Sequence, residues 1–287
     1  MALKSKNVDM SKIAISKPKK LDFGGSMVFI NYNGGIQPLY IQTPELYIPF
    51  DMSWFADSDE NGKYNIKISF KDMESNKSLR EFYEKILEMD NYIKDQAEVN
   101  TVAWFKGKKS REVIESLYSP MIKIHMDPET GEPSGKYPDG FGFKIVKKNN
   151  KVECSVYNQE NVTFDINKET DTPIDIERVV CKGSKVKAVL KCNGIWIANG
   201  KFGCTWRAEQ LRVKVPEGGL NEFAILSDSD DEGDEGDEGD ENVKEKVNPL
   251  IIDSDDSDDD KVDDKVDEEP KKEPKKKARK VRVKTEV

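Results

Sequence analysis

The side chains with most chemical promise lie between residues 185 and 215, where two Asn-Gly dipeptides, 193–194 and 199–200, set an expected register. Asn-Gly is a favoured two-residue hairpin turn because both positions tolerate positive φ. A turn at 193–194 opposes Cys192 to Ile195, Lys191 to Trp196 and Leu190 to Ile197. A turn at 199–200 opposes Ala198 to Lys201, Ile197 to Phe202, Trp196 to Gly203 and Ile195 to Cys204. Opposed residues share a face. One face then holds Val186, Ala188, Leu190, Cys192, Ile195, Ile197, Phe202, Cys204 and Trp206, an expected core. The other holds Lys185, Lys187, Val189, Lys191, Trp196, Ala198, Lys201, Gly203, Thr205 and Arg207. Beyond Ala208 the parity shifts, since Leu211, Val213 and Val215 want the core, and this predicts a bulge or bend.

A basic face with an aromatic at its centre suits a single strand of nucleic acid. Cations follow the phosphates while the ring stacks on a base, worth roughly 1–3 kcal/mol per base and largely indifferent to sequence. Gly203, opposite Trp196, leaves room above its ring. The candidate binding residues are Lys185, Lys187, Lys191, Trp196, Lys201, Thr205 and Arg207, with a wider set of Tyr40, Lys67, Trp104, Lys106, Lys108, Lys109 and Arg212. The competing reading is a solvated strand face, with Trp196 covered by a loop or helix.

Motifs for catalysis are missing. There is no Walker-type loop, no Gly-x-Gly-x-x-Gly before a helix and no metal-ligand cluster, so no enzyme, cofactor or metal is expected. Phe141-Gly142-Phe143-Lys144 resembles a ribonucleoprotein-motif strand over four residues only, and the lone His125 reads as structural. Cys154, Cys181, Cys192 and Cys204 are too widely spaced for a zinc knuckle and read as buried free thiols.

The elements that must position these residues follow from periodicity. Met27–Ile30 and Leu39–Ile41 flank Asn33-Gly34-Gly35 as strand, turn and strand. Leu46–Phe50 reads as an edge strand or connector, and Tyr64, Ile66, Ile68 and Phe70 alternate on a half-buried strand. Helical spacing of Leu79, Phe82, Tyr83, Ile86, Met89, Ile93 and Ala97 predicts an amphipathic helix over 79–98, opened by Ser78 to Glu81 as a capping box. Ser110 caps a short helix that stops before Pro120. A loop spans Asp127 to Gly140, and strands follow near 141–147, 151–157, 162–166 and 176–182. The expected fold class is α+β, mainly antiparallel β: most simply a small closed barrel with inserted helices and a disordered C-terminal tail.

Charge divides the chain. Residues 227–287 hold 24 acidic and 13 basic residues, whereas 1–226 hold 31 acidic and 33 basic ones. The expected organisation is a basic arm (1–20), a nucleic-acid-binding domain (21–226), an acidic tail (227–269) and a basic tip (270–287). With almost no large apolar side chains, the tail cannot offset its chain entropy. Its polyanion is positioned to compete for the basic face or to recruit basic partners, and phosphate on Ser227, Ser229, Ser254 or Ser257 would deepen its charge. The tip, Pro274 to Lys280, reads as a nuclear-localisation signal or a basic patch. No signal peptide or membrane helix is expected, which makes an intracellular protein the expectation.

Phe29-Ile30-Asn31-Tyr32-Asn33-Gly34-Gly35, Leu39-Tyr40-Ile41-Gln42-Thr43-Pro44 and Gly203-Cys204-Thr205-Trp206-Arg207-Ala208-Glu209-Gln210-Leu211 resemble the single-stranded-DNA-binding proteins of large nucleocytoplasmic DNA viruses. Those are similar in turn to acidic-tailed phage proteins of the same kind. The resemblance implies an OB-fold, strand protection during DNA replication, recombination or repair, and tail contacts with replication proteins. It also implies residence in a cytoplasmic viral factory or the nucleus, with packaging in the virion open. The basic tip departs from the phage pattern. Single-stranded DNA is the expected partner, with RNA and the choice of monomer or homodimer open. The alternative is a histone-chaperone-like or scaffold protein acting through its tail.

Overall fold

Alternation of apolar and polar residues builds the main strands. They are β1 (Leu46–Tyr47), β2 (Gly62–Ser69), β3 (Gly140–Lys148), β4 (Lys185–Ala198) and β5 (Lys201–Lys214). The pairings β1–β2, β2–β3, β3–β5, β5–β4 and β4–β1 close a ring. Most pairings are antiparallel, but β3 meets β5 in parallel at Lys144 and Arg207. Tyr64, Ile66 and Ile68 from β2 and Phe141, Phe143 and Ile145 from β3 are buried with the inward residues of β4 and β5. Each such side chain contributes about 1.5–3 kcal/mol of transfer free energy. The described part is thus mixed α/β, mostly sheet with few helices. The computed structural model describes residues 2–216, apart from positions 23, 36, 59 and 168–173. They lie in the first of two units of the chain, Met1–Ala224 and Ile225–Val287. The expectations for the acidic tail, its four serines and the basic tip fall outside the described residues.

The Asn-Gly pair at 193–194 is not a turn. β4 runs straight through it, pairing with β5 from Lys185↔Lys214 to Ala198↔Lys201, so Cys192 faces Trp206 and Lys191 faces Arg207. Asn193 is the extra residue of a bulge between Cys192 and Gly194. A hairpin there would forfeit the second set of partners along β4, the strands Ser26–Val28 and Tyr40–Gln42. Only Gly194 of the pair takes positive φ, and a Cβ on it would stand 2.4 Å from the Val28 carbonyl oxygen. The second pair does turn, with Asn199 and Gly200 at φ 51° and 75°. The parity shift beyond Ala208 is a second bulge, in which Glu209 is the unopposed residue.

Helix α1 (Lys77–Val99) buries Leu79, Phe82, Ile86, Met89, Ile93 and Ala97 on one stripe. Its cap is Asn76, whose side chain accepts from the Leu79 N–H, rather than the expected Ser78. Phe82 packs edge-on against Phe141, with ring centroids 5.6 Å apart. α2 (Thr101–Phe105) was not legible, and α3 (Arg111–Leu117) follows Ser110 as expected. Asp90 is the one charged residue buried in the α1 stripe. Its carboxylate accepts from the Tyr118 hydroxyl and the Met121 N–H, binding the helix to segment 118–123. Burial pushes its pKa up against those hydrogen bonds. Two other expectations fail. Residues 176–179 form α4 (Ile176–Val179), capped by Asp175, rather than a strand. Segment 162–166 contributes only an isolated bridge, Thr163 to Tyr157.

Candidate nucleic-acid interface

Register decides which side chains meet outside the ring. Asn65 opposes Lys144, Lys144 neighbours Arg207, Arg207 opposes Lys191, and Lys191 opposes Tyr40. The adjoining rows pair Lys67 with Gly142, Ser69 with Gly140 and Trp196 with Gly203. Over the second set lies a groove of about 970 Å³. Gly140 and Gly142 leave its floor bare, and Phe50 and Tyr137, 63% and 51% exposed, form part of its walls. Segment 118–123, tied down by Asp90, supplies Ser119, Met121 and Lys123.

Four lysines line the groove, Lys67, Lys71, Lys123 and Lys144, and no aspartate or glutamate does. None of the four makes an ion pair among the described residues. Burial lowers the pKa of Lys123, against the pull of Asp90. Lys144 is also lowered, first by burial and then by repulsion from Lys63. Partly desolvated cations that make no ion pair among the described residues gain from an incoming anion, even with Asp90 near Lys123 and Asp57 near Lys144. His125 stands in the wall, its ring 4.8 Å from that of Tyr137 and its Nδ1 2.6 Å from Ser134 Oγ.

Of the residues singled out by sequence, Trp196, Thr205 and Lys67 come together in this groove. The room expected above the Trp196 ring is filled differently. A Cβ at Gly203 would lie 3.0 Å from Trp196 Cζ2 and 2.9 Å from the Ser119 carbonyl oxygen, so the ring itself lies over the glycine. Arg207 is held by Glu209 at 2.7 Å and Glu153 at 3.6 Å. The Lys191 ammonium sits 5.7 Å from the centre of the half-buried Tyr40 ring. Lys185 pairs with Glu45 at 3.8 Å, and Lys187 borders a depression shared with Glu45 and Glu81. Lys201 at its turn and Arg212 opposite Lys187 are exposed and do not line the groove.

Trp104 is a correction. It is 6% exposed and packs against Phe105 and Phe202, so its ring offers no stacking surface. Lys106, Lys108 and Lys109 are exposed on the loop after α2, held by Thr101 Oγ1 through Gly107 and Lys109, and lie apart from the groove lining. The ribonucleoprotein-like reading of Phe141 to Lys144 is reversed. Both phenylalanines point into the core, while Gly142 and Lys144 face the groove. Phe50, Lys71, Lys123, Tyr137 and Lys144 were missed. Strand alternation could have found Lys144, two residues beyond Gly142. Phe50 and Tyr137 come from proline-flanked connectors with no period to read.

Among the described residues no cluster of metal-ligating side chains exists. Cys154, Cys192 and Cys204 are buried free thiols and Cys181 is half-buried. No described helix is long and apolar enough to cross a membrane.

No protein-family model matches the chain, and no curated protein matches it. Among solved structures it is similar to a single-stranded DNA-binding protein from bacteriophage Enc34 in complex with ssDNA. The identity is 12%, the match covers 71% of this chain and 97% of that one, and the TM-score is 0.39. It is also similar to gp2.5, a single-stranded DNA binding protein encoded by bacteriophage T7, at 13% identity over 66% of this chain and 98% of that one, with a TM-score of 0.35.

Proposed function

We propose that this protein binds single-stranded nucleic acid, DNA in the first instance, in the groove over β2, β3 and β5, without strong sequence preference and without catalysis. The carrying observation is the lining: four lysines free of carboxylate partners among the described residues, exposed Phe50 and Tyr137, and a floor of glycine. Residues 1–226 hold almost equal numbers of acids and bases, so an acid-free groove is a local arrangement rather than a reflection of composition. Exposed rings need unpaired bases to stack on, which favours a single strand over a duplex. The closed ring of strands supports an OB-like reading of the scaffold. The acidic tract 227–269 is read as a competitor for the groove and a contact for replication partners. Service to a large DNA virus rests on the sequence motifs alone.

Titrating the full chain with single- and double-stranded oligonucleotides, followed by tryptophan fluorescence at several salt concentrations, tests this. Single strands should bind more tightly. Four phosphate contacts give a slope of log affinity against log salt of about −3. Equal affinity for duplex, or a slope near zero, would overturn the reading.

A further inference from the structure

The face that floors the groove does not stop at Asn65 and Lys144. β2 and β3 run on, and the next row on the same face is Phe55, Lys63 and Val146. Two residues farther along β3 stands Lys148, opposite Lys151 across the Asn149-Asn150 turn. Each two-residue step advances about 7 Å along the strands.

Phe55 belongs to the strand Ser53–Ala56, all four of whose residues are exposed and which pairs only with β2 among the described residues. A 52% exposed phenylalanine on a free edge is an association hazard unless something uses it. Two of the described acids nearby, Asp57 and Glu153, are ion-paired. Asp57 pairs with Lys63 at 3.1 Å, Glu153 with Arg207 at 3.6 Å, and Glu60 flanks the turn, its carbonyl accepting from the Asn150 N–H. Lys148 and Lys151 are exposed and make no ion pair among the described residues. The surface therefore continues the groove in direction and in aromatic content, and it ends at two exposed lysines, Lys148 and Lys151, that make no ion pair among the described residues.

We propose that the strand held in the groove leaves it along β2 and β3, stacks a base on Phe55 and lays its backbone against Lys148 and Lys151. This rests on the groove reading and extends the bound length beyond the groove itself. Phe55→Ala and the double variant Lys148→Glu, Lys151→Glu touch only exposed side chains, and circular dichroism checks that they fold. The full-length protein and these variants are titrated with an oligothymidine of about four nucleotides and one of about ten. Both variants should weaken the longer oligonucleotide about five- to tenfold and leave the shorter within about twofold. Phe50→Ala, inside the groove, should weaken both lengths. If the outer variants leave the long oligonucleotide unaffected while Phe50→Ala weakens it, the extension fails and the groove reading stands. If the protein binds neither length, both fail. If Phe55→Ala changes the sedimenting mass and not the affinity, the edge is a self-association surface and the proposal is overturned.

Discussion

Two depressions of similar size meet the outer sheet face and carry opposite charge. The groove over β2, β3 and β5 has about 970 Å³, four lysines and no carboxylate. The depression beside Tyr40, Val189 and Gln210 has about 860 Å³, three carboxylates (Glu153, Asp165 and Glu209) and no lysine or arginine. Between them Arg207 spends its guanidinium on Glu153 and Glu209. Volume alone cannot separate the two. Charge can, because a polyanion entering the groove is attracted along the lysines and turned back where the carboxylates begin. The difference also corrects the value of a conspicuous cation. Arg207 reads from sequence as a phosphate ligand, and in the fold it closes the acidic side.

That contrast can be broken most directly at Lys144. Lys144→Glu places a carboxylate in the acid-free lining, and affinity for single-stranded DNA at low salt should drop about fiftyfold or more in a fluorescence titration. The loss should shrink as salt rises, and a loss independent of salt would point to misfolding instead. Phe50→Ala removes a ring and no charge. It should cost about tenfold in affinity and leave the salt slope unchanged, which separates stacking from backbone attraction. The smallest effect is expected across the boundary. Glu209→Gln loosens Arg207, at 29% side-chain exposure, and should tighten binding by about two- to threefold at low salt. Weaker binding in that variant would mean that Arg207 works only when held in place.

Much of the fold and less of the site was legible in the sequence. The inward set from Val186 to Trp206 is buried throughout, although one of the two turns used to derive it, at 193–194, does not exist. The reason is parity. Cys192 and Ile195 are three apart and both apolar, so the strand must break step between them, and a turn and a one-residue bulge break it equally. Local preference for a turn at Asn-Gly lost to the partners available on both sides of β4. Helix α1 was readable because seven apolar residues repeat at its period. The groove was not, because its parts lie far apart in sequence: Phe50 on a connector, Lys123 on a two-residue strand, Tyr137 before a proline. The strands with a regular period, β2, β4 and β5, yielded Lys67, Trp196 and Thr205. Trp104 misled because a tryptophan next to lysines reads as exposed, whereas here it fills space against Phe202.

The bulges at Asn193 and Glu209 make β4 and β5 each one residue longer than their mutual ladder requires. Each strand thus holds a reserve of length at one defined point. Loss of Asn193 would spend that reserve and leave Trp196 outward and Ile197 inward. Loss of a residue between Trp196 and the Asn199-Gly200 turn would throw the strand's end out of phase. For a lineage that gains and loses single codons, the bulge is where this strand can change length without exchanging its wet and dry sides.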